Sequence, residues 1–484
     1  MRSYGVVLVS AAAFLLSGCM VGPRYVKPTV PVTPNFEETE ELKDGDGWKV
    51  AQPDDDLIRG KWWVLYGDAT LNEVEEQVDS SNQDLKIAEA NLRQARAAIR
   101  FNRAAQAPTI GSSPSISDIR DSANKPYFPP SLDNNGSGDF ILPLDLSYEV
   151  DLWGRVRRSV AAARQQAQAS AADLQTARLS LHAEVAIGYF EVRSADAQER
   201  LLNDTVKAYT EALRLTQNRF EGGAAPKSDV AQAQTQLKAA QVLASDITVQ
   251  RAQYEHALAI LIGRPPAAFH LAVAPLNLEA PALPGVPVTL PARLLERRPD
   301  IAAAERRMAS ANEQIGIAKA AYYPTLNLAA SAGLEGSSIL NWLTWPSRFW
   351  AVGPQLAETL FDAGRRRATT ESARAGYDAA VAAYRQTVLD AFQQVEDNLV
   401  VLRVLSNEST QQQQATSAAE ESLKLFQNRY AGGVDTYLQV VTSQTTALAN
   451  ERNDIDILRR RLEANVLLIK ATGGGWDLSN LPRS

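Results

Sequence analysis

Gln217-Asn218-Arg219-Phe220-Glu221-Gly222-Gly223 returns 210 residues later as Gln427-Asn428-Arg429-Tyr430-Ala431-Gly432-Gly433. Outward from this pair, residues 154–263 are echoed by 364–473 at the same offset without a gap. Gly154-Arg155 returns as Gly364-Arg365, and Gly263 as Gly473. Upstream the match continues at an offset of 216. There Asp84, Glu89, Ala95, Ala104 and Pro108-Thr109 correspond to Asp300, Glu305, Ala311, Ala320 and Pro324-Thr325. A repeat this long that occurs twice is a duplicated half-molecule, not a solenoid of short units. The architecture is expected to be pseudo-symmetric, each half doing what the other does.

The chain has 484 residues, long enough for several ordinary domains. Aromatics are only 7% of it and Met occurs three times, while the apolar fraction leans on Ala. Ala packs helices closely but buries little area, so long helices fit better than several large cores. A formal net charge of −7 argues against nucleic acid, because phosphate binding needs a basic footprint. Downstream of residue 20 no apolar run approaches the roughly 20 residues of a transmembrane helix.

The N-terminus differs. Arg2 is a positive n-region, Val6 to Leu16 an apolar h-region, and Leu16-Ser17-Gly18-Cys19 follows at once. Cys19 is the only cysteine, which excludes a disulfide within the chain. The tripeptide before it resembles the lipobox of bacterial lipoproteins. That resemblance implies a signal peptide over 1–18, cleavage before Cys19, and lipid on its thiol and new amine. The alternative is a buried cysteine in a leader.

Residues 20–60 are polar and read as an extended arm, which is taken to reach 83. The spacing of Leu85, Ala88, Leu92, Ala95 and Ile99 predicts a helix over 84–107, stopped by Pro108. Residues 120–138 read as a loop. Then Phe140, Leu142, Leu144, Leu146, Tyr148, Val150 and Leu152 alternate with Asp145, Ser147, Glu149 and Asp151. Apolar on one side and acidic on the other suits a strand between lipid and a watery lumen. The second half supplies strands over 325–334 and 349–361, with Trp342, Trp345, Phe349 and Trp350 as a candidate interfacial girdle. A fourth strand is expected after Pro108.

Helices follow each strand pair: 155–219 and 227–262 in the first half, 365–430 and 436–472 in the second, each pair turning at its Gly-Gly. The 24 residues of 84–107 plus the 36 of 227–262 nearly match the 65 of 155–219. Two short helices stacked end to end are thus expected beside each long one. Residues 264–291 carry seven prolines and read as a linker or small equatorial segment. The layout is an arm over 19–83, repeats over 84–263 and 292–473, and a tail over 474–484. Four strands cannot stand alone in a bilayer, because open edges leave backbone groups unpaired. Closure needs further chains.

Six motifs carry a resemblance. They are CMVGPRYVKP (19–28), WWVLYGDATL (62–71), DLWGRVRR (151–158), LLERRPDIAAAE (294–305), AAYYPTLNL (320–328) and the QNR(F/Y)xGG pair. The chain resembles the outer membrane factors of the TolC/OprM superfamily, in their lipoprotein, NodT-like branch. The resemblance implies an α+β membrane protein: a homotrimer whose chains each give four strands to a twelve-stranded β-barrel, continued by a long periplasmic α-barrel. It also implies the exit duct of a tripartite efflux pump for drugs or other small toxic compounds. The implied location is the bacterial outer membrane, lipid-anchored and reaching into the periplasm. The implied partners are a periplasmic adaptor and an inner-membrane transporter, of the resistance-nodulation-division class. A type I protein-secretion channel is the nearest alternative; a lipid-anchored coiled-coil surface protein is another, though sustained heptads are not read along these helices.

No catalytic or cofactor site is expected beyond the lipid on Cys19. His182, His256 and His270 are scattered, and Gly473-Gly474-Gly475 lacks the Lys-Ser/Thr of a phosphate loop. Arg155, Arg157, Arg158 and Arg365 to Arg367 sit where helix N-termini disfavour positive charge, and read as snorkelling to lipid phosphate or as solvated. By family analogy the tips around Gly222, Gly223, Gly432 and Gly433 dock the adaptor and form the gate. Arg219 and Arg429 precede the turns, and Asp229 and Asp435 follow them. Charge pairs across neighbouring helices are expected to hold the tips closed. Gln439 and Thr442 stand where relatives are often acidic. The competing closure is an apolar plug by Tyr437 or Leu438.

Overall fold

The computed structural model describes residues 20–40, 48–50, 60–120, 122, 136–277, 283–288 and 291–476. Cys19 and its leader, and most of the expected 120–138 loop, lie outside them. Eight α-helices longer than four residues frame the described chain: α1 Ala69–Ser81, α2 Gln83–Ala104, α3 Arg155–Glu221, α4 Lys227–Leu261, α5 Pro291–Arg297, α6 Pro299–Ala320, α7 Arg365–Ala431 and α8 Tyr437–Ala471. Both α3 and α7 have 67 residues, about 100 Å at 1.5 Å per residue.

The short helices do stack end to end, and the two joints are built alike. Asn82, the N-cap of α2, accepts from Leu85 N at 2.9 Å and donates Nδ2 to the last carbonyl of α4, Leu261 O, at 2.7 Å. Its counterpart at offset 216 is Arg298, which precedes α6 and donates Nη1 to the last carbonyl of α8, Ala471 O, at 3.1 Å. In each joint one side chain satisfies an orphan carbonyl at a helix C-terminus. The helix expected over 84–107 ends at Ala104, its frayed turn closing on Asn102 and Arg103 carbonyls before Pro108.

The extended arm expected over 19–83 needs correction. Residues 69–81 are α1, capped by Asp68, which accepts from Thr70 N and Leu71 N at 2.9 and 3.1 Å. Its buried stripe of Leu71, Val74 and Val78 packs with Trp62 and Trp63 into the main core. Over 20–38 the arm is a strap. Val21 N donates to Trp153 O at 3.1 Å, and Lys27 pairs with Glu305 at 3.0 Å. At the far end Glu37 N donates to Glu396, and Glu38 pairs with Arg403 at 2.6 Å. Eighteen extended residues cover about 60 Å, matching the roughly 57 Å down α7 from Arg365 to Arg403.

Strands β1 Trp48–Val50, β2 Thr109–Gly111, β3 Ser115–Ile119, β4 Ser137–Val150, β5 Val286–Val288, β6 Thr325–Gly336 and β7 Arg348–Ala357 form two sheets. β1 and β5 pair in parallel, so part of the Pro-rich segment is sheet. The segment is also held at 271–274 by Arg193, Asp196, Arg251 and Glu255. Arg251 bridges Asp196 at 2.6 Å and donates to Leu271 O at 2.8 Å, while Ala274 N donates to Asp196.

The larger sheet is antiparallel, in the order β2/β3–β4–β6–β7. β2 and β3 both lie along β4, so together they fill one strand position. The register opposes Leu142 to Leu334, Leu144 to Ala332, Leu146 to Ala330, Tyr148 to Leu328 and Val150 to Leu326. It continues across β7 as Ala332 to Trp350, Ala330 to Val352 and Leu326 to Leu356. Directly opposed side chains share a face, so this face is apolar across these pairs, with Arg348 opposite Leu334 at its far end. The other carries Asp145, Ser147, Glu149, Asn327 and Ser331, with Ser331 Oγ donating to Asp145 at 2.7 Å. Phe349 opposes Gly333 and so lies on this second face. That removes it from the expected aromatic girdle.

The core sits midway down the helices. There Glu75 is buried, 2.7 Å from His182 Nδ1, and the His182 ring stacks on Trp63 at 4.3 Å. Burial pushes the Glu75 carboxyl up to about 7, against the opposing hydrogen bond from His182. On α7, Tyr384, Val388, Ala391, Val395, Leu399, Leu402 and Leu405 form a stripe spaced by threes and fours. This is coiled-coil-like seam packing, confined to one stretch too short to read as sustained heptads. Among the described residues no helix is long and apolar enough to cross a membrane.

Candidate functional site: the paired hairpin tips

Both tips end in the same turn. Gly223 N donates to Phe220 O at 2.9 Å and Ala224 N to Arg219 O at 2.8 Å; Gly433 N and Val434 N repeat this on Tyr430 O and Arg429 O, both at 3.0 Å. These are Schellman caps, which place the residue after the cap in the left-handed region. Gly223 has φ +72 and Gly433 φ +74. Gly222 and Gly432 precede them at ordinary negative φ.

The side chains diverge where the backbones agree. Arg219 leaves the end of α3 and donates Nη1 to Tyr430 O and Ala431 O of α7, at 2.8 and 2.9 Å. Its guanidinium also lies 4.6 Å from the Tyr430 ring centroid. A cation at a helix C-terminus is favoured by the helix dipole. On the other side, Tyr430 donates its hydroxyl to Asp229 at 3.4 Å. The structure therefore brings Arg219 and Asp229 to Tyr430 and not to each other. Arg429 pairs with Asp435 at 3.0 Å inside its own turn, so its charge is spent locally, not across neighbouring helices.

Tyr437 is buried against Tyr430, Val440 and Ala233, its ring 5.0 Å from that of Tyr430. Burial pushes its hydroxyl up to about 12, with Tyr430 adding to the shift. Tyr430 is raised as well, first by burial, with Thr216 and Arg219 opposing and Asp229 reinforcing. Both phenols stay neutral at neutral pH. Tyr437 thus packs between helices, whereas Leu438, Gln439 and Thr442 are exposed. Sequence reasoning missed Tyr430 as a participant. The signal was a change inside the duplicated motif, Phe220 to Tyr430, which adds the hydroxyl that binds Asp229.

At the strand-to-helix junctions four of the six arginines have carboxylate partners. Arg155 meets Glu149 at 2.5 Å, Arg157 meets Asp151 at 3.2 Å, Arg158 meets Glu313 at 2.7 Å and Arg366 meets Asp362 at 2.7 Å. Asp151 also accepts from Val156 N and Arg157 N, and Asp362 from Gly364 N and Arg366 N. Each carboxylate therefore neutralises the arginine and fills orphan donors of the helix start. Arg365 and Arg367 are exposed. Trp153 donates Nε1 to Pro324 O at 2.7 Å and stacks on Tyr323 at 4.7 Å, tying the junctions of the two halves together.

A sheet with one lipid-compatible face and one polar face, set on helices about 100 Å long, defines a subunit of an outer-membrane channel. The chain belongs to the outer membrane efflux protein family, whose model matches residues 75–264 and 290–474. It is 32% identical over 475 residues to the toluene efflux pump outer membrane protein TtgF of Pseudomonas putida, covering 96% of each chain. It is 31% identical over 468 residues to the outer membrane protein OprJ of Pseudomonas aeruginosa, covering 96% and 95%. Among solved structures, the outer-membrane channel OprN superposes with a TM-score of 0.85 at 27% identity, covering 95% of this chain and all of that one. The MtrE outer membrane channel of Neisseria gonorrhoeae, in its open state, gives 0.81 at 26%, covering 95% and 99%. The protein is an outer-membrane component of an efflux system.

Proposed function

We propose that three copies of this chain close into one passive duct, through which drugs or other small toxic compounds leave without any chemistry on the way. The observation that carries the reading is the sheet. It presents an apolar face, yet among the described residues β2/β3 and β7 have no partner strand on their outer sides. In hydrocarbon such edges cost several kcal/mol per unpaired group, and four strand positions are too few to close a barrel. Three chains supply twelve, within the range of bacterial outer-membrane barrels. A periplasmic adaptor would meet the tips at Gly222–Gly223 and Gly432–Gly433, linking the duct to an inner-membrane transporter of the resistance-nodulation-division class. Lipid on Cys19 fits the same picture, because Met20 and Val21 begin beside Trp153, at the base of the sheet. Native mass spectrometry of the detergent-extracted protein tests both points. The expected species is three chain masses, each starting at Cys19 and carrying acyl groups. A stable monomer with full strand content overturns the duct, and an unmodified Cys19 overturns the anchor alone.

The resting closure follows from the tips. Arg219, Tyr430 and Asp229 lock the ends of α3 and α7 to the start of α4, so opening must separate them. An adaptor shifts that balance only by binding the opened tips better than the closed ones.

A further inference from the structure

The segment between β6 and β7 does not arch over the mouth of the sheet; it doubles back over the outside. Gly336 opposes Phe140 and belongs, with Leu334 and Leu326, to the apolar face. A Cβ on Gly336 would point out of that face and meet Trp342 Cα at 3.1 Å and its N at 3.3 Å. The Phe140 ring, on the same face, meets the Trp342 ring at 5.7 Å. The helical turn Ile339–Trp342 is thus laid against the outer wall, at the end of β4 away from the helices. The eleven residues from Phe140 to Val150 span about 25 Å of membrane normal at the usual tilt, the height of a lipid-facing band. The turn therefore sits at the outer margin of that band.

Its side chains suit that depth. Leu340 is 86% exposed and Trp345 77%, with Ile339 and Leu343 also projecting. Arg348 opposes Leu334, on the outward face. It donates Nη1 to Trp345 O at 3.0 Å and holds its guanidinium 4.5 Å from the Trp345 ring centroid. From Gly336 to Arg348 the sequence has no Asp or Glu. Trp and Arg flanking an apolar stretch are interfacial anchors, and a guanidinium matches a phosphate in charge and geometry. The wall behind the turn is β4 and β6, the two inner strands, so the turn lies away from the edges where a second copy would pair.

We propose that residues 337–347 are an in-plane anchor in the outer leaflet of the outer membrane. Leu340, Leu343 and Trp345 seat among acyl chains, and Arg348 contacts the phosphate of an anionic glycolipid. This rests on the reading that the apolar sheet face meets lipid, and Trp350, in mid-band on β7, serves as the control for it. The test is tryptophan quenching of the intact protein in phosphatidylcholine vesicles brominated near the top or the bottom of the acyl chains. The emission lost in Trp345→Phe should be quenched at least twofold better by shallow than by deep bromine, while that lost in Trp350→Phe responds to the deeper one. Emission from Trp345 that responds to aqueous acrylamide and not to bromine overturns the anchor. So does emission shielded from both, which would mean a second copy or a protein partner covers the turn. If Trp350 also escapes bromine, the barrel reading fails instead. For Arg348, wild type should retain a bisphosphorylated glucosamine-based glycolipid at least threefold better than its dephosphorylated form. Arg348→Glu should abolish that preference. Equal retention of the two forms by wild type overturns the phosphate contact.

Discussion

α3 and α7 share a length and a place in the repeat, but they are buried differently. α3 is packed by α2, α4, α6 and α8, and positions from Val156 to Leu202 are buried on nearly every side, Arg158, His182, Arg193 and Asp196 included. α7 meets α6 and α8 and buries chiefly the stripe from Tyr384 to Leu405. Arg158 is buried, whereas its counterpart Ala368 is exposed. Duplication preserved the length and the turn, which are set by backbone hydrogen bonding. It did not preserve which faces the chain covers by itself. The face of α7 left uncovered fits the wall that a second copy would complete in the proposed trimer.

The sharpest way to break this contrast is at Arg158. Replacing it with Ala leaves the half-buried Glu313 without its partner and removes a donor from the strap's Pro23 carbonyl. The expected loss is about 3–5 kcal/mol, read as a lower midpoint in denaturant unfolding of the detergent-solubilised protein. Ala368→Ser should stay within about 0.5 kcal/mol. Equal effects at the two positions would show that the halves are not packed as described.

A second contrast is titratable. His182 pairs with the buried Glu75, while the counterpart of His182 is Phe392. The Glu75 carboxyl is raised from 4.5 to about 7 in the folded chain, so folding favours its protonated form. That stabilisation is complete below pH 4.5 and is lost as pH rises to about 7, with a swing of about 3 kcal/mol. Glu75→Gln, which stays neutral, should therefore flatten the stability profile between those pH values, with His182 and Asp79 still facing the site. Superimposable wild-type and variant profiles would remove the buried carboxylate from the account.

The smallest expected effect is at the tips. Tyr430→Phe gives the second tip the residue type of Phe220 and removes the hydroxyl from Asp229, a change of about 1 kcal/mol or less. Single-channel recording should show a higher open probability at unchanged unit conductance. If Tyr430→Phe behaves as wild type while Leu438→Ala opens the pore, closure is apolar and the polar lock is not what holds it.

The sequence made the skeleton legible because it was written in strong local signals. Paired Gly-Gly turns, Pro stops and period-two alternation place α3, α4, α7, α8, β4 and β6 within a few residues. α1 was lost because its stripe of Leu71, Val74 and Val78 spans only about two turns after a capping Asp in a polar region. The partners at the tips were opaque for another reason. Arg219 binds carbonyls 211 and 212 residues away, and a backbone acceptor leaves no mark in composition or spacing. The junction arginines show the same limit: the carboxylates of Arg155, Arg157 and Arg366 lay four to six residues away and that of Arg158 lay 155 away, and which faced which depended on the fold.

The strap over residues 20–38 has a consequence in time. Glu37 meets Glu396, 359 residues later. At the usual pace of synthesis, about 5–20 residues per second, the wait is roughly 20–70 s. Until then, Phe36 has no Phe392 to meet, and the earliest part of the chain to be made is among the last to find its place. Maturation is thereby ordered, with the strap closing only after the second half exists.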